Sequence, residues 1–438
     1  MLDSLPRRIL ASLSVLAVSA APALAEVRAF VGGEIVPIVG APIPDGVLLV
    51  DDGRIAALGP ASGVEIPAGA ETVDVSGKVL MPGLVDTHSH IGGGWAADGS
   101  APIQPDVSVL DAIDARDPGF QRARAGGLTT LNVMPGSGHL MSGQTVYLKL
   151  RQARTIDDLL VVEDGRVAGG MKMANGTNSR RDPPFPGTRG KSAALVREAF
   201  VKALDYRRKL EAAGDDPKER PDRDLGMEAL LEVLDGKRVV HHHTHRHDDI
   251  LTVLRLREEF GFRVVLQHVS EAWKVADEIA AAGVPSSIIV VDAPGGKLEA
   301  QHVSFENGRA LEAAGALVGF HTDDWITDSR LFLRSAALAV RAGMSREGAL
   351  YGLTMAGARM LELDHRIGSL EPGKDADLVV LSGDPLSVYT RVLETWVEGE
   401  KVFDLEREQD RLAADGGSGA GSPRQHQELA CLESEVVR

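Results

Sequence analysis

Between residues 81 and 365, short apolar runs alternate with longer stretches whose apolar residues recur every three or four positions. The runs at 82–88, 128–134, 145–150, 168–173, 238–244, 263–268, 286–291 and 316–322 have the length and bounding turn residues of buried strands. The stretches 191–213, 246–260, 271–282, 305–314, 328–342 and 345–362 predict amphipathic helices. Strands and helices alternating in this way predict an α/β fold, a (β/α)8 TIM barrel over 81–365, with a doubly wound open sheet as the alternative. On either side, short apolar runs are broken by Gly, Pro and Asp, and no helical period is visible. These flanks, 26–80 and 366–404, predict one small β-sandwich domain built from both chain ends.

The two extremities change that picture. Arg7 and Arg8 precede "ILASLSVLAVSAAPALA", which closes on Ala23-Leu24-Ala25. This pattern predicts a cleaved export signal over 1–25, a mature start at Glu26, and a secreted or periplasmic destination. Its apolar core is shorter than the roughly 20 residues of a membrane-spanning helix. No later segment is long and apolar enough to span a bilayer, so no stable membrane insertion is expected after cleavage. From 405 to 438 the polar, Gly- and Ser-rich sequence predicts a flexible tail.

Composition narrows the partners. A hydrophobic share of 44% and a charged share of 25% are those of an ordinary globular chain. A formal charge of −16 argues against nucleic acid or an anionic membrane surface as main partner. The single cysteine, Cys431, rules out an internal disulfide and cysteine-rich metal sites. A small-molecule amide or a short peptide remains as partner, and a homo-oligomer is compatible with the sequence.

Candidate chemistry collects at the predicted strand ends, where a barrel keeps its active site. "GLVDTHSHIGGG" ends the first strand, and residues two apart on a strand share a face, so His88 and His90 converge. The fourth strand carries Lys172 and the fifth reads "RVVHHHTHRHDD". The sixth ends at His268, and the eighth closes on His321, Asp323 and Asp324. Counting His139 after the second strand, ten of the 13 histidines lie at or near these ends. Several imidazoles and a carboxylate suit zinc or a similar divalent ion with an open water position. An adjacent Asp then serves proton transfer during hydrolysis of an amide-like bond.

"LMPGLVDTHSH", "QHVSEAW", "FHTDD" and "IGSLEPGKDADLVVLSGDPL" resemble the metal-dependent amidohydrolase superfamily, in particular its imidazolonepropionase-like branch. The resemblance extends to about residue 404. It implies that His88, His90, His268 and Asp323 are metal ligands, with Asp323 also moving protons. "HHTHRHDDI" is similar to the branch's H-A-H-R-x-D-D-I, which implies His243 as the fifth-strand ligand and His241 as the alternative. His245 would then lie behind the metal or touch substrate, and His242 would point the other way. "GMKMANG" resembles the strand whose lysine is carboxylated in binuclear members, so Lys172 is a candidate bridge between two ions. The expected cofactor is therefore one or two divalent ions, zinc by ligand type. The chain departs from related sequences at Gly176-Thr177-Asn178, where Gly-Glu-Asn is expected. The loop 134–144 offers His139 and Gln144 to a substrate. The implied activity is hydrolysis of a C–N bond in a small amide, cyclic amide or short peptide. An exported metallo-dipeptidase or carboxypeptidase and a non-catalytic metal-binding scaffold are the alternatives, the scaffold having no need of Asp323.

Overall fold

The computed structural model describes residues 27–93, 98–290, 297–324 and 326–416. The expected export signal and the tail beyond 416 lie outside the described residues. Five parallel strands form the centre of the molecule, in the order Met171–Ala174, Val240–Thr244, Val264–His268, Ser286–Ile288 and Val318–Phe320. Leu84–Ser89 and Leu128–Val133 are a further parallel pair. They meet the eighth strand through a parallel bridge from Ser89 to Asp324. Helices follow most strands, including Arg189–Ala213, His247–Phe260, Asn307–Ala313 and Phe332–Arg341. The fold is TIM-barrel-type with mixed α/β content.

The third strand departs from the regular pattern. Val146–Lys149 pairs antiparallel with Leu128–Val133, and Met141–Gln144 pairs antiparallel with Met171–Ala174. A parallel return needs a crossover of a dozen or more residues, usually a helix. Here the connecting residues are themselves spent on a strand, so the chain comes straight back.

Other differences are local. The helix expected over 345–362 is two, Arg346–Leu353 and Met355–Met360, broken at Thr354, whose backbone (φ −132°, ψ −88°) is not helical. The helix expected over 271–282 is only Ala276–Ala281, because the residues before it form a side-chain-braced turn. Pro118–Ala125 and Leu225–Leu234 add two short helices, each capped by an Asp side chain. Within the segment expected as tail, Glu408–Asp415 is a helix with Ala413 buried. Asp410 accepts from the Asp404 backbone amide at 2.9 Å and docks its first turn.

Strands from the two chain ends share one eight-stranded sheet. Its order runs from Glu400–Asp404 through Val392–Val397, Leu378–Leu381, Val79–Pro82, Arg28–Ile35 and Ile43–Asp51 to Arg54–Pro60, with Glu71–Asp74 beside Arg28–Ile35. Phe30, Leu48, Ile55, Leu80, Leu378 and Trp396 pack into a core of their own. The barrel strands and helices share a separate, larger core that includes Leu131, Leu266, Phe320 and Phe332. Among the described residues no helix is long and apolar enough to cross a membrane.

A buried ion cluster joins the two regions. Lys149, fully buried on the third strand, lies 2.5 Å from Asp375, 3.0 Å from Asp377 and 3.3 Å from Glu398. Arg366 reaches Asp375 at 2.8 Å and Arg151 reaches Glu398 at 2.6 Å. The "GKDAD" stretch thus supplies two carboxylates to one lysine of the barrel. Removing the lysine strands them in a low-dielectric interior, which costs about 3–5 kcal/mol for a buried pair. Lys149→Met is expected to lower the chemical denaturation midpoint by that amount of stability. A midpoint equal to the unsubstituted chain's would show that the cluster contributes nothing.

Candidate functional site

The ends of the first and eighth strands are tied together by one carboxyl group. Asp86 Oδ1 accepts from the backbone amides of His88 and Thr322, each at 3.1 Å, and Oδ2 accepts from Thr322 Oγ1 at 2.5 Å. The Asp323 amide donates to His88 O at 2.9 Å. Asp323 itself is left-handed, with φ 49°. That turn sends Asp323 and Asp324 to different sides: Asp324 accepts from Ser329 Oγ, whereas Asp323 faces the histidines. Burial pushes Asp86 up to about 7, against the pull of its three hydrogen bonds.

Above this joint, His88 Nε2 and His90 Nε2 stand 3.2 Å apart. Asp323 Oδ1 lies 3.4 Å from the first and 3.0 Å from the second. Lys172 Nζ is 3.1 Å from His88 Nε2 and 3.0 Å from Met134 Sδ. His90 Nδ1 meets the carbonyl of Met134 at 2.8 Å. A carbonyl only accepts, so that nitrogen carries the proton and Nε2 presents its lone pair inward. Burial holds His88, His243 and His268 well below the usual imidazole range, so these rings are neutral ligands in waiting. Burial also pushes the Lys172 ammonium down to about 7. It would raise Asp323, but the neighbouring His90, His321 and Lys172 side chains outweigh it and hold the carboxyl below its ordinary value. The Asp323 side chain keeps 21% exposure, so its site has an open side.

His268 Nδ1 is 3.9 Å from Asp323 Oδ2, and the His243 and His268 ring centroids are 4.5 Å apart. Among the described residues, His88, His90 and Asp323, and likewise His88, His268 and His321, offer ligand atoms within 4.8 Å of one another. Imidazole nitrogens with a carboxylate are the donor set of a divalent metal. The candidates His88, His90, Lys172, His268 and Asp323 therefore converge, with His243 adjoining them through His268. His241, the alternative, is engaged below by Tyr147 Oη at 3.0 Å and Gln267 at 3.2 Å, and burial pushes it down to about 3. His242 turns to the helix side, into a cavity it shares with Arg189 and Asp249. Gln144 is occupied with Pro105 O at 3.2 Å, while buried His139 meets Arg181 at 3.3 Å.

Four supporting residues were assigned no specific role from the sequence, His321 having been named there only as a strand-end histidine. His321 Nε2 lies 2.9 Å from His268 Nδ1, and its Nδ1 lies 2.8 Å from Ser287 Oγ. Its position at a strand end was the available signal. His268 and Val269 both have left-handed backbones, φ 70° and 42°, a strained pair at a candidate ligand. Asn307 Nδ2 holds the carbonyls of Val269 and Ser270 at 3.2 and 3.1 Å. Glu271 accepts from His247 and His302 at 2.6 Å and from Lys274 at 2.8 Å. These donors overcome burial and hold its carboxyl far below the ordinary range. Glu299 is buried beside His243, at 4.0 Å. No local pattern announces Asn307, Glu271 or Glu299, because each acts across a loop.

A family model described as the amidohydrolase family matches residues 79–406. The chain is similar to an amidohydrolase of Thermotoga maritima of known crystal structure: 35% identity, a TM-score of 0.80, and coverage of 86% of this chain and 100% of that one. It is 27% identical to the amidohydrolase tasK of Hapsidospora irregularis over 82% of this chain, a match spanning only 40% of that longer protein. It is 25% identical to the imidazolonepropionase of Rhizobium rhizogenes over 81% of this chain and 91% of that protein.

Proposed function

The chain belongs to the amidohydrolase family, and on that footing we propose that His88, His90, Lys172, His243, His268 and Asp323 form its metal and catalytic centre. It is a metal-dependent hydrolase of carbon–nitrogen bonds. The observation that carries the assignment is the meeting of His88 Nε2, His90 Nε2 and Asp323 Oδ1 within 3.0–3.4 Å of one another. Neutral imidazoles with a carboxylate favour zinc among divalent ions. When bound, such an ion acidifies water and polarises a carbonyl oxygen. Asp323, ionised and open to solvent on one side, accepts the proton of the attacking water. It returns that proton to the departing nitrogen as the C–N bond breaks. Lys172 is buried and contacts His88; with two ions bound, its neutral amine, carboxylated by carbon dioxide with loss of a proton, would supply them a carboxylate ligand.

The same reading covers the rest of the chain. The eight strand segments close into a barrel over 81–365. The flanks 26–80 and 366–404 make the small β domain against which it rests. Residues 1–25 direct export to the periplasm or medium. The substrate is a small amide, cyclic amide or short peptide.

Asp323→Asn keeps the size of the side chain but cannot take a proton. Turnover is expected to fall by about two to four orders of magnitude, with folding retained. Asp324→Asn is expected to keep most activity, since Asp324 turns to Ser329. Assaying both on one active substrate checks the pair, and the reverse pattern would overturn the assignment.

Lys172→Ala is expected to cut bound metal from two ions to one or fewer, read by elemental analysis. An unchanged content of one ion would make the centre mononuclear and leave Lys172 another role. Export is checked by N-terminal sequencing from the native host, which should give Glu26; an intact Met1 in the cytosol would refute it.

A further inference from the structure

Outside the residues assigned to the centre, one buried histidine touches two of them. His321 directly follows the eighth strand, Val318–Phe320. Its ring stacks on His88, with centroids 5.0 Å and planes 20° apart. It stands edge-on to His268, at 4.8 Å and 71°. His321 is thus wedged between a candidate ligand of the first strand and one of the sixth. Both of its nitrogens are engaged: Nε2 lies 2.9 Å from His268 Nδ1, and Nδ1 lies 2.8 Å from Ser287 Oγ. Ser287 Oγ in turn lies 2.7 Å from Thr87 Oγ1. All four side chains are buried. A chain of hydrogen bonds therefore runs from Thr87 through Ser287 and His321 to His268.

Such a chain has two senses. Burial keeps both rings neutral, and two neutral rings that meet nitrogen to nitrogen hold one proton between them. In the first sense His268 Nδ1–H donates to His321 Nε2, and His321 Nδ1–H donates to Ser287 Oγ. Nε2 of His268 then keeps its lone pair. In the second sense the Ser287 hydroxyl donates to His321, His321 Nε2–H donates to His268 Nδ1, and the His268 proton sits on Nε2. Two observations favour the first. Asp323 Oδ2 lies 3.9 Å from His268 Nδ1, and a carboxylate favours a proton on the nitrogen that faces it. Among the described residues, Nε2 of His268 has no hydrogen-bond partner. A proton there would be a buried donor without an acceptor.

We propose that His321 is a positioning residue of the metal centre: it accepts the proton of His268 Nδ1 and so presents the Nε2 lone pair of His268 to the ion. The distances would also let His321 join His88 and His268 as a ligand, but both its nitrogens already have partners, so it acts through His268. The inference rests on the metal-dependent reading of the centre. It adds the residue that decides which nitrogen of His268 ligates.

The test has two arms. The first needs no metal: in the metal-free chain with nitrogen-15 histidine, long-range proton–nitrogen correlations report the tautomer of each ring. The His268 signals are those lost in His268→Asn. They are expected to show the proton on Nδ1, and a proton on Nε2 overturns the proposal. The second arm is zinc affinity, measured by competition with a chromophoric chelator. His321→Phe is expected to bind zinc about 10–100-fold more weakly, as for loss of a group that orients a ligand. His321→Gln keeps an acceptor for the His268 proton and a donor for Ser287, and should restore most of that affinity. Unchanged affinity in His321→Phe overturns the proposal. So does an equal loss in both variants accompanied by an altered cobalt(II) absorption spectrum, which would make His321 itself a ligand. If His321→Phe fails to fold, Ser287→Ala decides: it leaves the His321–His268 contact in place and should weaken zinc binding, and unchanged affinity there overturns the proposal. Failure of the metal-dependent reading looks different: the unsubstituted chain takes up no stoichiometric zinc, while the first arm still reads the tautomer.

Discussion

The centre depends on a carboxyl group that touches no solvent. Asp86 gathers two backbone amides and a hydroxyl from strands that lie 236 positions apart in sequence. A buried carboxyl without partners would be costly; with three donors it becomes a clamp. The clamp fixes the backbone at His88 and Thr322, and from these two points the directions of His88, His90 and Asp323 follow. The left-handed turn at Asp323 is tolerable because the His88 carbonyl holds its amide from the other side. Geometry that a metal would otherwise have to impose is thereby already present in the polypeptide.

Two buried lysines show how surroundings sort one residue type into two uses. Lys149 is enclosed by Asp375, Asp377 and Glu398, and joins the barrel strand to the terminal sheet as an ion cluster. Lys172 is equally buried but faces His88 and a methionine sulfur. Burial takes its charge toward neutrality, and a neutral amine is a nucleophile. The histidines obey the same rule. Packed centroid to centroid at 4.5–5.0 Å, they are compatible only as neutral rings, which is the state a metal requires.

What was legible in the sequence follows from periodicity. His88 and His90 two apart on a strand, and His268 and Asp323 at strand ends, announce themselves because the strand period is two and barrel chemistry sits at strand ends. The antiparallel third strand was not legible: Val146–Lys149 has the same apolar pattern whichever way it runs, and direction is set by the length of its connection. The break at Thr354 was hidden because the apolar spacing continues through it. Asn307, Glu271 and Glu299 escaped for another reason. Each is an ordinary polar residue in its own window and acquires a role only through a partner 24 to 122 positions away.

Strand-borne and loop-borne residues also differ in what they specify. The candidate ligands and Asp323 sit on or just beyond strands, where pairing with neighbours fixes the Cα positions. Gly176, Thr177 and Arg181 sit on loops whose shape is set by particular pairs, such as Gly176 against Glu299 or Arg181 against Phe185. A changed residue in such a loop alters what is held without disturbing the joint at Asp86. For this reason family membership fixes the bond that is broken, whereas the substrate must be read from contacts that no strand pattern encodes.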